Sequence, residues 1–245
     1  GRFQPAYYIE VLTEGNPGGT GPWFGYVIDA ESGRLLFRNN LTANDTYQYR
    51  TYAESTGDKR PWDGPTGPVG TPHPTGTPNG YQAPFIAAPL VSVESLIGPT
   101  DPWLPPGATV TTGNNTDAYL DLASPNGFSG SDVRGTGVAG VFDAQYDSTM
   151  NVNTAVNRQA AVIGMFYQVN WLHDFWYLRG FTEAAGNAQT DNYGRGGVAN
   201  DSLLAEGQDF SGTDNANMST PADGGKPRMQ MYTFNAGGLL NPTRD

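Results

Sequence analysis

The chain has 245 residues, enough for one large domain or two smaller ones, and among its 33 glycines and 19 prolines are scattered 5 Trp, 13 Tyr and 11 Phe. A disordered chain is poor in such residues, so this is a loop-rich folded protein. A formal charge of −11 leaves no basic face for phosphates or anionic lipid, which disfavours nucleic acid and membrane as partners, and the absence of cysteine removes disulfides, thiolate metal sites and thiol nucleophiles.

Residues 1–50 read as β. PAYYIEVLTE is a strand, and WFGYVID and RLLFRN flank the turn AESG as a hairpin. This pattern resembles the closing part of the PepSY-type propeptides of secreted metallopeptidases. The start at Gly1, without an initiator methionine, is expected to reflect an export segment removed or left out upstream. No transmembrane run is present in the sequence.

Residues 51–110 hold most of the proline, with Gly and Thr between. Proline lacks the amide donor of a helix or central strand, so the stretch is expected to be a linker or an extended, wrapped segment. His73, within PHP, has no companion histidine nearby and reads as a surface-loop residue.

Residues 111–153 return to turns and short strands. Asp117, Asp121, Asp132, Asp143 and Asp147 are oxygen donors of the kind calcium takes, but the twelve-residue calcium-loop spacing is absent. Calcium is therefore unsupported here, and solvated turn carboxylates are the preferred reading.

Residues 154–181, TAVNRQAAVIGMFYQVNWLHDFWYLRGF, carry the one long helical pattern. Val162, Phe166, Val169, Leu172 or His173, and Trp176 recur at three- and four-residue steps, and apolar residues on the other faces predict a buried helix. Asn153 is the expected N-cap, with Gly180 in the left-handed position after the last turn and Phe181 folding back. His173 beside Asp174 invites an acid–base role, but a structural histidine is preferred.

The remaining chain contains short β candidates near residues 202–205 and 215–219. PRMQMYTF follows as an alternating strand, in which Met229 and Met231 are expected to share a face opposite Gln230 and Tyr232. Glu183 and Glu206 are placed in loops, without a carboxylate partner that the sequence identifies.

TTGNNTDAYLD, FYQVNWLHDFWYLRGF, AGNAQTDNYGRGG and GTDNANMSTPADGGKPRMQMYTFN, in this order over about residues 110–235, resemble the fungalysin-type zinc metallopeptidases, relatives of thermolysin. The resemblance implies an α+β architecture. A small antiparallel propeptide-like sheet (1–52) is followed by a Pro/Gly-rich linker (53–109), then by a β-rich, loop-heavy lobe (110–245) packed on one long buried helix at about 154–179.

A zinc peptidase of this kind needs two histidines one helical turn apart with a glutamate between, H-E-x-x-H, and a further carboxylate ligand. The two histidines of this chain stand at 73 and 173, and no such motif is present. The family's zinc helix is expected shortly after NPTRD, so the chain alone is not a competent zinc peptidase. The implied cofactor is zinc held by ligands outside this chain, and the zinc-binding half is a separate or omitted segment.

The resemblance also implies that Asn215 and Ala216, with Asn217 adjacent, contact an extended peptide substrate through an exposed edge strand. A free strand edge offers the main-chain donors and acceptors such pairing requires. Met218 departs from the aromatic residue common at that point in the family. No catalytic residue and no metal ligand is assigned.

The expected function is the N-terminal part of an exported zinc endopeptidase, acting on peptide or protein substrates in the extracellular space or at the cell surface. The alternative is a non-enzymatic extracellular module that uses the same lobe for adhesion or assembly, since a strand edge that pairs with substrate also pairs with a neighbouring subunit.

Overall fold

A computed structural model describes residues 4–14, 20–40, 47–62, 64–65, 85–98 and 101–234. His73 and the closing NPTRD lie outside the described residues. The chain divides into two compact units, one comprising residues 1–44 and 98–100 and the other the remainder.

The first unit is an antiparallel sheet of β1 (Ala6–Glu14), β2 (Thr20–Asp29) and β3 (Leu35–Asn40), in that order. These are the strands expected from PAYYIEVLTE and the hairpin around AESG. Asp29 sets that turn by accepting the Glu31 and Ser32 amides on Oδ1, at 2.8 and 3.2 Å. Gly33 supplies the positive φ of +68° that closes it.

The second unit holds two sheets and the helix. In the larger sheet the strands run β10-β11-β9-β6-β7, formed by β6 (Thr116–Leu120), β7 (Val133–Arg134), β9 (Leu203–Gly207), β10 (Ala216–Ser219) and β11 (Arg228–Met231). The central strand β9 is parallel to both of its neighbours, whereas β10 is antiparallel to β11 and β7 to β6. The smaller sheet, β5-β4-β8, is built from β4 (Gln48–Arg50), β5 (Leu90–Ser92) and β8 (Val141–Phe142).

Helix α1 (Ala155–Tyr177) packs against both sheets. Val162, Ile163 and Phe166 meet Ala118, Leu120 and Ala205 of the larger sheet in one core with Tyr49, Trp103, Phe142 and Tyr167. The Tyr49 ring lies 5.4–5.9 Å from the rings of Trp103, Phe142, Phe166 and Tyr167. Aromatic residues dispersed in sequence thus supply much of this core's apolar volume. Gly113 permits a close approach there, since a Cβ on it would stand 1.9 Å from the Trp103 carbonyl oxygen.

The helix boundaries show how local polar groups do the work of a cap. Its N-cap is Thr154, one residue after the expected Asn153, and Thr154 makes no side-chain cap bond. Asn157 instead accepts the Asp147 amide at 2.8 Å and returns a bond to the Asp147 carbonyl at 2.9 Å, fixing the chain that enters the helix. At the other end Gly180 has φ +101° and the Phe181 amide donates to the Trp176 carbonyl at 3.1 Å, so the expected glycine stop is present.

The inner face of α1 is Val162, Ile163, Phe166, Tyr167, Asn170 and Asp174, all buried. Leu172 and Trp176, placed on the inner face by sequence periodicity, are 47% and 54% exposed. Polar Asn170 and Asp174 displace them because loop donors converge on that side of the helix. No helix among the described residues is long and apolar enough to cross a membrane.

Candidate functional site

Ala216 and Asn217 lie in β10, and Asn215 immediately precedes it. Strand β10 forms one edge of the five-stranded sheet and is exposed along its whole length. Its register pairs Ala216 with Met231, Asn217 with Gln230, Met218 with Met229 and Ser219 with Arg228.

The Tyr232 amide donates to the Asn215 carbonyl at 3.2 Å, which fixes the alternation of the antiparallel ladder. Asn217 and Ser219 turn their backbone groups toward β11, and Ala216 and Met218 turn theirs to the open edge. Of these outward groups, the Ala216 amide is taken by the Asn215 side chain, whose Oδ1 accepts it at 2.8 Å. The Ala216 carbonyl and both main-chain groups of Met218 face outward.

Side-chain bonds hold this edge to the sheet. Asn217 Nδ2 donates to Gln230 Oε1 at 2.8 Å and to the Tyr232 hydroxyl at 2.6 Å. Gln230 is buried, and its Nε2 donates to Asp209 Oδ2 at 2.6 Å. Polar Gln230 is therefore inside while Met231 is 39% exposed. Met229 and Met231 face a groove of about 560 Å³, lined also by Met165, Val169 and Leu172 of α1.

His173 belongs to a structural network. Asn187 Nδ2 lies 3.3 Å from its Nε2 and Asp174 Oδ1 lies 3.0 Å from its Nδ1. Since the amide can only donate and the carboxylate only accept, the ring carries its proton on Nδ1. Asp174 is fully buried, and its Oδ2 accepts from the Leu96 amide (2.7 Å), Trp103 Nε1 (2.8 Å) and the Ser95 hydroxyl (3.1 Å). These are the donors that draw Asp174 inward and tie Ser95, Leu96 and Trp103 to α1.

Glu183 sits in the 3-10 turn Glu183–Ala185 and is buried. It accepts the Tyr177 hydroxyl at 2.9 Å and shares Arg195 with Asp101, the guanidinium lying 2.6 Å from Glu183 Oε1. Burial first, then the bond to Glu183, push the Tyr177 phenol up to about 12 against the opposing charge of Arg195. Both Glu183 oxygens are thus committed within the fold.

Two expectations need correction. Asp121 is not a solvated turn carboxylate but is fully buried at the end of β6. Glu206 is not in a loop without a carboxylate partner: it lies within β9, fully buried, with Asp121 and Asp209 beside it. Residues 85 positions apart in sequence meet because β6 and β9 pair in parallel, with Tyr119 opposite Glu206 and Leu120 opposite Gly207. No local motif carries that signal. The other aspartates are engaged otherwise: Asp117 with Arg134 (2.7 Å), Asp143 with Arg50 (2.8 Å), and Asp132 and Asp147 with nearby amides.

None of this fits a catalytic zinc centre. Such a site takes imidazole nitrogens, and both ring nitrogens of His173 are occupied. Among the described residues, Asp121, Glu206 and Asp209 are the group whose ligand atoms lie close enough to share an ion, and they offer oxygen alone.

A family model described as Fungalysin metallopeptidase (M36) matches residues 70–245. Extracellular metalloproteinase MEP of Fusarium vanettenii is 36% identical over 146 residues, covering 58% of this chain and 22% of that protein. Extracellular metalloproteinase 2 of Arthroderma gypseum is 39% identical over 137 residues, 56% of this chain and 21% of that protein. Extracellular metalloproteinase 5 of Trichophyton tonsurans is 42% identical over 101 residues, 41% of this chain and 16% of that protein. The matched stretch thus spans about a fifth of the length of these relatives.

Proposed function

Because the chain belongs to the fungalysin metallopeptidase family, we propose that it is the N-terminal lobe of an exported, zinc-dependent endopeptidase, preceded by the end of its propeptide. In this reading residues 1–52 are the propeptide-like piece, whose last strand β4 belongs to the second unit; 53–109 are a segment wrapped onto that unit through β5 and Trp103, and 110–245 one wall of the substrate cleft. The zinc ligands lie outside this chain, and the chain by itself does not hydrolyse peptides. The names of the relatives support an extracellular location.

The observation that carries the substrate role is the exposed edge strand β10, with the Ala216 carbonyl and the main-chain groups of Met218 turned outward. An extended peptide adds to such an edge through its own backbone, and side chains at alternate positions then select its sequence. Asn215, Ala216 and Asn217 are the proposed substrate contacts. The Asn215 side chain exchanges its bond to the Ala216 amide for a bond to the incoming peptide.

Intact-mass measurement of the native protein with zinc analysis and a casein-cleavage assay tests this reading. A zinc-containing species larger than this chain, or a two-chain species, that cleaves casein is the expected result. A zinc-free native species of about 26 kDa without a second chain sinks it, leaving an adhesive or assembly module that uses the same strand edge.

A further inference from the structure

Beneath the edge strand, three carboxylates from separate stretches converge on one point. One oxygen from each of Asp121, Glu206 and Asp209 lies within 4.8 Å of the others. Asp121 and Glu206 are fully buried, and Asp209 is 2% exposed. The backbone brings them there: the Asp121 amide donates to the Gly207 carbonyl at 3.1 Å and the Phe210 amide to the Asp121 carbonyl at 2.8 Å.

Hydrogen bonds satisfy part of this group. Tyr119 donates to Glu206 Oε1 (2.7 Å), the Gly127 amide to Asp121 Oδ2 (2.9 Å), Gln230 to Asp209 Oδ2 (2.6 Å), and the Ser211 amide and hydroxyl to Asp209 Oδ1. Asp121 Oδ1 and Glu206 Oε2, both buried, receive no hydrogen bond. An unsatisfied buried carboxylate oxygen is costly, and two of them within one acidic group demand a countercharge.

Arg228 does not supply it in full. Its Nε stands 3.8 Å from Glu206 Oε2, beyond hydrogen-bond reach, and has no acceptor of its own. Its Nη1 is directed to Asn126 Oδ1 at 3.2 Å. One guanidinium at that distance faces three carboxylates, with Asp132 close behind through its bond to the Leu122 amide.

We propose that Asp121, Glu206 and Asp209 form a calcium-binding site, with Asp121 Oδ1 and Glu206 Oε2 as its two uncommitted ligands. The donor set is all hard oxygen, which suits calcium and is unlike the nitrogen and sulfur ligands zinc prefers. No two of the three atoms are farther apart than 4.8 Å, about twice the calcium–oxygen distance of roughly 2.4 Å, so one ion can reach all three. Magnesium, at roughly 2.1 Å and strictly octahedral, gives up its waters reluctantly and is seldom held by an all-protein carboxylate cage. Water and backbone carbonyls complete the six to eight ligands calcium takes. The ion ties the end of β6 to β9 and to Asp209, which holds Gln230 and, through it, Asn217 of the edge strand. The site does not depend on the peptidase reading.

The test is calcium titration of the full chain after stripping with EDTA, read by calorimetry and thermal melting, with magnesium as control. The variants are Glu206→Gln and Asp121→Asn. One calcium per chain, a melting point raised by calcium and not matched by magnesium, and an affinity lowered on the order of tenfold or more in either variant are expected. Stripped Glu206→Gln melts no lower than the stripped parent, because the substitution removes a repelling charge and keeps an acceptor for Tyr119. The proposal is overturned if the stripped parent binds no calcium saturably, the outcome if Arg228 closes on Glu206 and neutralises the group. It is equally overturned if folded variants bind as the parent does. Should Glu206→Gln not fold, the stoichiometry of the parent and the response of Asp121→Asn decide.

Discussion

The side chain of Gln230 donates to Asp209 at 2.6 Å while accepting from Asn217 at 2.8 Å. One buried amide therefore joins the exposed edge strand to the acidic group on the inner side of the sheet. The link explains why polar Gln230 occupies a buried position in β11 between two methionines.

Replacing Gln230 with leucine removes both bonds and leaves Asp209 Oδ2 without its donor. The cost of a buried acceptor left unpaired is about 1–3 kcal/mol, and urea unfolding at neutral pH measures it. A loss below about 0.5 kcal/mol, the level of an ordinary surface substitution, is incompatible with the bond to Asp209.

The alternation in β10 makes a prediction about proline. Met218→Pro removes an amide that faces the open edge and leaves the ladder to β11 intact, so the melting point stays close to that of the parent. Asn217→Pro removes a ladder donor, together with the side-chain bonds to Gln230 and Tyr232, and is expected to lower the melting point clearly. In a form that carries a zinc-binding half, Met218→Pro also raises KM for peptides more than it lowers kcat. Equal stability losses for the two prolines would overturn the assigned register.

Asp174 gathers three donors on Oδ2 and His173 on Oδ1. Asp174→Ala leaves the buried Trp103 indole N–H and the Leu96 amide without their acceptor, which is expected to cost about 1–3 kcal/mol for each. Near-UV circular dichroism reports the loss of the fixed Trp103 environment. His173→Ala, which leaves the three donors on Asp174 Oδ2 in place, costs less. A larger effect at His173 than at Asp174 contradicts the hierarchy seen in the fold.

Tyr177, held up to about 12 by burial and by its bond to Glu183, gives a pH dependence with a definite sign. Its folded value lies above the unfolded one near 10, so its contribution is fully present below about pH 10 and is lost as pH rises through about 12. The stability difference between the parent and Tyr177→Phe is therefore constant from neutral pH to about 9 and shrinks above 10. Chemical unfolding at a series of pH values measures it, and a difference that grows with pH contradicts the assignment.

The strands of the first unit, the long helix with its glycine stop and the short strands that close the second unit were legible in the sequence, because each is written in local signals: alternation, a 3.6-residue period, and turn residues at the ends. The ordered blocks around FYQVNWLHDFWY also carried the family. Which face of α1 is buried was not legible. The period admits Leu172 and Trp176 as readily as Asn170 and Asp174, and the choice rests on the donors that Leu96 and Trp103 bring to Asp174.

What the sequence by itself determined, then, is the set of elements, the acidic and cysteine-free character, and the absence of H-E-x-x-H from these 245 residues. Only the tertiary structure decided that Asp121, Glu206 and Asp209 share one buried point, and that Gln230 connects them to β10. The physical reason is the parallel pairing of β6 with β9: it joins residues far apart in the chain, and the alternation within a strand tells which side chains share a face but not which distant strand lies alongside.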